Sequence, residues 1–113
     1  MDTGVVPYAP VVSVGWDCSP RLETEIPWPP EKNHYPYSPI VTGNTPEKFG
    51  GLIQRALRHA ESSPHRPPFF LINAWNEWTE GSSLLPNTLY ENGYLGALKA
   101  AMEEPQKTQG AAE

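Results

Sequence analysis

Apolar runs and amphipathic stretches alternate along this chain of 113 residues. Residues 10–16 and 69–74 are largely apolar without strict alternation, which is typical of parallel strands covered on both faces. Residues 46–62 and 91–102 carry apolar side chains three and four positions apart, which predicts helices with one buried face. The order strand, helix, strand, helix predicts a parallel α/β arrangement.

The first predicted helix has a clear start signal. Thr45 suits the N-cap, Pro46 suits the first helical position, and the charge of Glu47 is favourable near the positive end of the helix dipole. The residues expected to be buried share one stripe of the helix: Phe49, Leu52, Ile53, Ala56, Leu57 and Ala60.

Two parallel strands cannot complete a sheet, because each leaves an open edge and an uncovered apolar face. We therefore expect residues 1–102 to be the C-terminal segment, about two β/α units, of a (β/α)8 TIM barrel, with 10–16 and 69–74 as its last two strands. The missing N-terminal barrel portion is then a partner of this chain, whether it lies upstream, belongs to another chain or has been lost. The polar residues 103–113 are predicted to be a disordered tail.

Composition and charge argue against several functions. The net charge of −5 and the scattered basic residues disfavour nucleic-acid binding. One cysteine, Cys18, excludes an internal disulfide framework, and the three histidines lack metal-ligand spacing, so no metal site is predicted. No signal-peptide pattern and no apolar run of about 18 residues is visible, so we expect no membrane partner, and the compartment stays open.

The segment with the most chemistry follows the second apolar run. Residues 72–81, INAWNEWTEG, end a predicted strand with two tryptophans, two asparagines and two glutamates. Glu77 and Glu80 lie three positions apart, so in a helical or turn-like loop their side chains point to roughly the same side. Such a pair can cleave a glycosidic bond, because one carboxyl protonates the leaving oxygen while the other acts as base or nucleophile. We therefore predict that Glu77 and Glu80 are catalytic.

The neighbouring side chains suit a sugar substrate. Trp75 and Trp78 offer flat apolar faces to a pyranose ring, and Asn73 and Asn76 offer donors and acceptors to its hydroxyls. Gly81 permits a sharp turn after the second carboxylate. The structural alternative is that the glutamates lie on a solvated helix face and the tryptophans pack at a rim.

A second group of candidates ends the first strand. In a barrel, Trp16 and Asp17 would face the same end as Glu77 and Glu80, either to contact sugar or to form structural hydrogen bonds. Arg21 either pairs with Asp17 or binds a substrate oxygen. The loop 17–42 is long enough to indicate a function. Its aromatic residues form either a wall of the cleft or a self-packed loop: Trp28, His34, Tyr35 and Tyr37.

Four segments resemble glycoside hydrolase family 99 and its bacterial relatives, the family-99-like domains found around polysaccharide metabolism. They are 73–81 NAWNEWTEG, 15–21 GWDCSPR, 43–49 GNTPEKF and 93–95 GYL. The resemblance covers about residues 10–102 and implies the C-terminal part of a (β/α)8 barrel. It further implies an endo-acting, retaining α-mannosidase or α-mannanase without a metal or organic cofactor.

The resemblance also implies separate roles for the two carboxylates. Glu77 would be the general base on the substrate 2-hydroxyl, so that the sugar forms an anhydro intermediate, and Glu80 would be the acid/base on the leaving group. Relatives commonly continue with Leu-Glu-Pro-Asp, where residues 84–87 here are Leu-Leu-Pro-Asn. Because both acids are lost, the mannosidase substrate does not follow from the resemblance.

Three functions therefore stay open. The leading hypothesis is a glycoside hydrolase-like domain that acts on a polysaccharide or other glycan, active only when the barrel is complete. The second is a non-catalytic or degenerate glycan-binding domain. The third is a transferase in polysaccharide biosynthesis, which is less favoured because the sequence has no recognisable nucleotide-binding loop.

Overall fold

The computed structural model describes residues 6–22, 34–37, 39–62 and 64–104. Within these ranges lie two helices and four short strands: β1 Val11–Ser13, α1 Pro46–Glu61, β2 Leu71–Asn73, β3 Asn76–Glu77, β4 Ser82–Ser83 and α2 Gly93–Glu103. Two 3₁₀ turns are also present, Ser19–Arg21 and Trp78–Glu80. The described residues form a small mixed α/β unit without a closed barrel.

The strands β1 and β2 pair in parallel, as the sequence predicts, with Val12 opposite Ile72. Both are shorter than the predicted runs 10–16 and 69–74, although the ladder extends beyond β1, where the Val14 N–H donates to the Asn73 carbonyl at 2.8 Å. Because parallel strands end at the same edge of a sheet, the loops after β1 and β2 leave it side by side.

The start of α1 is confirmed in detail. The Thr45 hydroxyl accepts a hydrogen bond from the Lys48 N–H at 3.3 Å, and Pro46 occupies the first helical position. The helix ends at Glu61, where the Ser62 hydroxyl donates to the carbonyl of His59 at 2.7 Å.

The second helix lies slightly further along the chain than predicted. It spans Gly93–Glu103 instead of 91–102, and its last turn is closed by the Glu104 N–H, which donates to the Ala100 carbonyl at 3.0 Å. Glu103 is therefore helical, so the prediction of a disordered tail from residue 103 is wrong at that residue. Residues 105–113 lie outside the described residues.

The core lies between the two helices and one face of the β1–β2 pair. The buried apolar residues form one cluster: Val12, Val14, Phe49, Ile53, Ala56, Leu84, Tyr94 and Ala101. The rings of Phe49 and Tyr94 meet edge to face at 5.6 Å, which joins α1 to α2. The sheet is thus covered from one side mainly by α1, against which α2 packs.

The other face of the β1–β2 pair is uncovered within the described residues. Val11 and Leu71, which are neighbours in register, are 59% and 54% exposed. The expectation of two covered faces is therefore not met here, because α1 packs against one face only. Leu52, predicted in the buried stripe of α1, is also exposed, so that stripe is wider than the surface it covers.

Candidate functional site

A short hairpin displays the segment that contains Glu77 and Glu80. The strands β3 and β4 pair antiparallel, with Glu77 opposite Ser82, and the 3₁₀ turn between them ends at Gly81. Gly81 has a φ of 60°, which glycine adopts without steric cost. A Cβ at this position would lie 3.0 Å from the Asp17 Cβ. Glycine is therefore required both for the predicted sharp turn and for the close approach to the loop after β1.

Hydrogen bonds join this hairpin to the end of β1. The Asp17 N–H donates to the Glu80 carbonyl at 2.7 Å. The Asn73 side-chain amide donates to the hydroxyls of Ser82 and Ser13 at 3.0 and 3.3 Å, and the Ser82 hydroxyl donates to the Asn73 carbonyl at 2.7 Å. The amide nitrogen of Asn73 is thus bound to structural neighbours, and its role towards sugar hydroxyls stays a prediction.

Arg21 brings the two predicted catalytic carboxylates together. Its Nη2 donates to Glu77 Oε1 at 2.8 Å, and its Nη1 donates to Glu80 Oε1 at 3.0 Å. Its Nε donates to the Thr79 hydroxyl at 2.7 Å, and that hydroxyl donates to Glu77 Oε1 at 3.2 Å. One planar guanidinium therefore orients three side chains of the 77–80 turn, which needs the fixed fork of an arginine.

The two carboxylates differ in how far they face solvent. The side chain of Glu77 is 41% exposed, whereas that of Glu80 is 18% exposed. Because the Arg21 ion pairs are open to water, they contribute mainly to geometry and little to stability. The arrangement resembles neither a solvated helix face nor a buried core pair.

Asp17 has a different partner from the one considered in the sequence. Its carboxylate accepts a hydrogen bond from the Ser19 N–H at 2.9 Å, next to the turn that carries Arg21. Hydrogen bonds from the Ser19 side chain and backbone hold the pKa of Asp17 below its usual value. The described partners of Arg21 lie in the 77–80 turn and at Tyr35, so these contacts replace the pair with Asp17, one of the two alternatives that the sequence left open.

Tyr35 completes the side of the site next to Glu80. Its hydroxyl donates to Glu80 Oε1 at 3.3 Å and contacts Arg21 Nη1, and the Arg21 Cζ lies 5.7 Å from the centre of its ring. The Trp16 ring is tilted against Tyr35 at 6.5 Å. These contacts favour the interpretation of part of the long loop as a wall of the cleft.

The remaining aromatic residues of that loop are placed differently. His34 and Tyr37 contact each other edge to face at 5.9 Å. Trp28 lies outside the described residues. The loop therefore combines a wall beside Glu80 with some packing among its own rings.

The two tryptophans that are predicted to stack against a sugar ring are accessible to solvent. Trp75 and Trp78 expose about half of their surface, and Asn76 is exposed beside them. Rings packed at a rim would be more buried, so this accessibility is consistent with the predicted stacking role. Cys18, in contrast, is buried.

The sequence interpretation missed Thr79 and named Tyr35 only as one of several rings in its loop. Thr79 lies between the two glutamates in the chain and was left without a role, although its position in the motif was a usable signal. Tyr35 is 45 positions from Glu80, and nothing in the local sequence distinguishes it from the other rings of its loop. The convergence of Arg21 on both carboxylates also needed the fold.

Among the described residues, no group of three or more His, Cys, Asp or Glu side chains could hold a metal ion. None of the helices in the described part of the chain is long and apolar enough to cross a bilayer.

Comparison with known proteins assigns the chain to a carbohydrate-related class. Residues 3–98 match the family described as glycosyltransferase WbsX, and the chain belongs to this family. Two curated relatives, both uncharacterized proteins named WxcX from strains of Xanthomonas campestris pv. campestris, are 30% identical over 96 residues. The match spans 82% of this chain but 12% of each relative. No solved structure matches significantly.

The family supports the glycan-related part of the sequence interpretation. Its description names a glycosyltransferase, whereas the motifs resemble glycoside hydrolase family 99. The family thus relates the chain to carbohydrates, and its description and the motifs differ in the reaction that they suggest.

Replacing Arg21 by lysine should loosen the contact between the loop after β1 and the 77–80 turn. An ammonium group donates from one point and cannot reach both carboxylates and the Thr79 hydroxyl together. We expect amide hydrogen exchange at Asp17, whose N–H donates to the Glu80 carbonyl, to become roughly tenfold faster. The matched control is Arg55→Lys, at an exposed position of α1. Unchanged exchange in Arg21→Lys would contradict the bridging role.

The lowered pKa of Asp17 should appear in the pH dependence of stability. The hydrogen bonds of the Asp17 carboxylate stabilise the folded protein above the ordinary pKa of 3.8. This stabilisation is lost as the pH falls through the pKa of Asp17 in the folded protein, which is lower still. Asp17→Asn keeps an acceptor oxygen but does not titrate. We expect the difference in urea midpoint between wild type and variant to be constant above about pH 5 and to shrink in stronger acid. A difference that stays constant through the acid range would exclude this linkage.

Proposed function

We propose that Glu77 and Glu80 are the catalytic pair of a carbohydrate-active enzyme that cleaves glycosidic bonds in a polysaccharide or other glycan. The observation that carries the proposal is the shared guanidinium, because Oε1 of both carboxylates accepts from Arg21. Two carboxylates held together at an accessible edge, between aromatic rings, suit acid and base catalysis at one bond. Membership in a carbohydrate-related family supports the substrate class.

The two carboxylates have different tasks in this proposal. Glu80, the more enclosed, is the acid/base on the leaving group, and Glu77 is the base towards the 2-hydroxyl, as the resemblance to family 99 implies. Arg21 is a positioning residue. Its hydrogen bonds fall on Oε1 of each carboxylate, so the guanidinium fixes the orientation of both groups.

Transfer to an acceptor is the second candidate, and the description of the family favours it. The same pair could serve it, because a carboxylate that deprotonates a hydroxyl can equally activate an acceptor sugar. The two reactions differ in the donor, since a transferase of this kind requires an activated sugar nucleotide and a hydrolase requires only glycan and water.

The loss of the acid at position 87 is weak support for a degenerate domain. Asn87 Oδ1 accepts from the N–H groups of Leu89 and Tyr90 at 3.0 and 2.7 Å, which fixes the turn before α2. Asparagine and aspartate both form such turns. The substitution therefore leaves the local structure intact.

Glu77→Gln and Glu80→Gln should each lower turnover by about 10²–10⁴-fold, the usual contribution of a general acid or base. The measurement is release of new reducing ends from glycans by the intact protein, with and without sugar nucleotides. Glu47→Gln, at an exposed position in the first turn of α1, is the control and should retain wild-type rates.

The outcomes separate the candidates. Wild-type rates in both glutamine variants would reject the catalytic pair. Product that forms only with a sugar nucleotide would favour the transferase, and glycan binding without any product would identify a non-catalytic domain.

We also propose that the uncovered face of β1 and β2 is the inner face of a (β/α)8 barrel, completed by segments outside this chain. Three observations support this: the strands are parallel, helices cover one face, and the chain matches 12% of its relatives' length. The carboxylate site then lies beyond the carboxyl ends of the strands, where such barrels carry their active sites.

Val11→Asp tests this architecture in the intact protein. If the neighbouring strands cover Val11, the variant buries an unpaired carboxylate and should destabilise the protein by about 3–5 kcal/mol in urea unfolding. Val6→Asp, at an exposed position before β1, should change stability by less than about 0.5 kcal/mol. Equally small effects at both positions would contradict a buried inner face.

A further inference from the structure

A cavity of about 260 Å³ adjoins the turn that carries the carboxylate pair. Trp78 and Gly81 of that turn form part of its wall, and the rest comes mainly from residues 87–90, which lead into α2, with Asn44 before α1 and Tyr94 of α2. Arg21, Glu77 and Glu80 do not line it, so it is distinct from the carboxylate site. Its volume is slightly below the usual range of small-molecule pockets, so it would hold a ligand no larger than a single sugar ring.

Aromatic side chains shape this cavity. Trp78, Tyr90 and Tyr94 line it, and the two tyrosine rings meet edge to face at 5.6 Å. Burial raises the pKa of Tyr94 above its usual value of 10.0, so its hydroxyl stays neutral at ordinary pH. Apolar ring faces with hydroxyl edges match the alternation of C–H and O–H groups on a pyranose.

Two asparagines contribute oriented polar groups. Asn44 Nδ2 donates to the Tyr94 hydroxyl at 3.3 Å, which leaves Asn44 Oδ1 as an acceptor. Asn87 Oδ1 accepts from the Tyr90 N–H at 2.7 Å, which leaves Asn87 Nδ2 as a donor. Both asparagines line the cavity, and because each amide is held at one end, they contribute hydrogen-bonding groups of fixed position to its wall.

None of the residues that line the cavity in the described part of the chain carries a formal charge. A uronate or a phosphorylated sugar would therefore bring its charge against an uncharged wall, which costs desolvation without a compensating ion pair. A neutral sugar exchanges hydrogen bonds with water for hydrogen bonds with asparagine, threonine and tyrosine. The lining thus selects against charged sugars.

We propose that this cavity is a subsite for one uncharged pyranose unit, with Trp78 as the wall shared with the carboxylate site. The inference rests on the proposed function only in assigning that pyranose to the same glycan. Binding at the subsite needs no catalysis, so it can be measured independently of turnover.

Isothermal titration calorimetry of the intact protein tests the subsite with D-glucose, D-galactose, D-mannose and D-glucuronate as probes. We expect at least one neutral hexose to bind with a Kd on the order of 1 mM, and glucuronate to bind at least about tenfold more weakly. Glu77→Gln should bind the hexose with an unchanged Kd. Absence of binding by every neutral hexose, or equal binding of glucuronate, would overturn the proposal.

A substitution that fills part of the cavity tests whether the hexose binds there. Thr88 lines the cavity and is exposed, so Thr88→Leu narrows the cavity and removes a hydroxyl at a position outside the core. It should weaken hexose binding by roughly tenfold. The matched control, Thr42→Leu, alters an exposed threonine outside the cavity lining and should bind like wild type.

The variants also separate the two proposals. Binding that is lost in Glu77→Gln and kept in Thr88→Leu would place the hexose at the carboxylates and overturn the subsite. Hexose binding that depends on Thr88, in a protein without hydrolase or transferase activity, would sustain the subsite and reject only the proposed function.

Discussion

The parallel pairing of β1 with β2 is the constraint on which the rest of this structure depends. It continues to the hydrogen bond between Val14 and Asn73 and so brings the ends of both strands to one edge. Arg21 then meets Glu77 and Glu80 across 56 and 59 positions of sequence. A slip of one residue would exchange the two faces of a strand, removing Val12 from the helices and turning Val11 towards them.

The turn from Trp78 to Gly81 lies between the carboxylate site and the uncharged cavity. One side of the turn borders a charged region, in which a single guanidinium orients two carboxylates. The turn also borders a cavity lined by uncharged polar and aromatic side chains. The two surfaces have different tasks in the proposed function. The carboxylates would take part in bond cleavage or transfer, and the aromatic rings and asparagine amides of the cavity would recognise neutral sugar units. The close approach at Gly81 holds the turn against the loop after β1.

The features that could be predicted from the sequence depend on residues close together in the chain. The Thr45 cap, the helix after it and the turn at Gly81 each involve a few consecutive positions, and the two apolar runs were long enough to indicate parallel strands. The β3–β4 hairpin was missed, because strands of two residues carry no readable period. The partners of Arg21 and the choice between the two alternatives for Tyr35 could not be predicted, because both depend on how a long loop returns to the sheet.

By itself, the sequence predicted which residues carry the chemistry and determined which segments pack their apolar side chains in the core. The INAWNEWTEG segment contains both carboxylates that are predicted to be catalytic. Only the tertiary structure decided that one arginine holds the carboxylates together, that Asp17 binds Ser19 instead, and that an uncharged cavity adjoins the site. The physical reason is the range of the interactions. Propensity and capping act within a few residues, whereas a guanidinium fork and a cavity wall join side chains that only chain folding brings together.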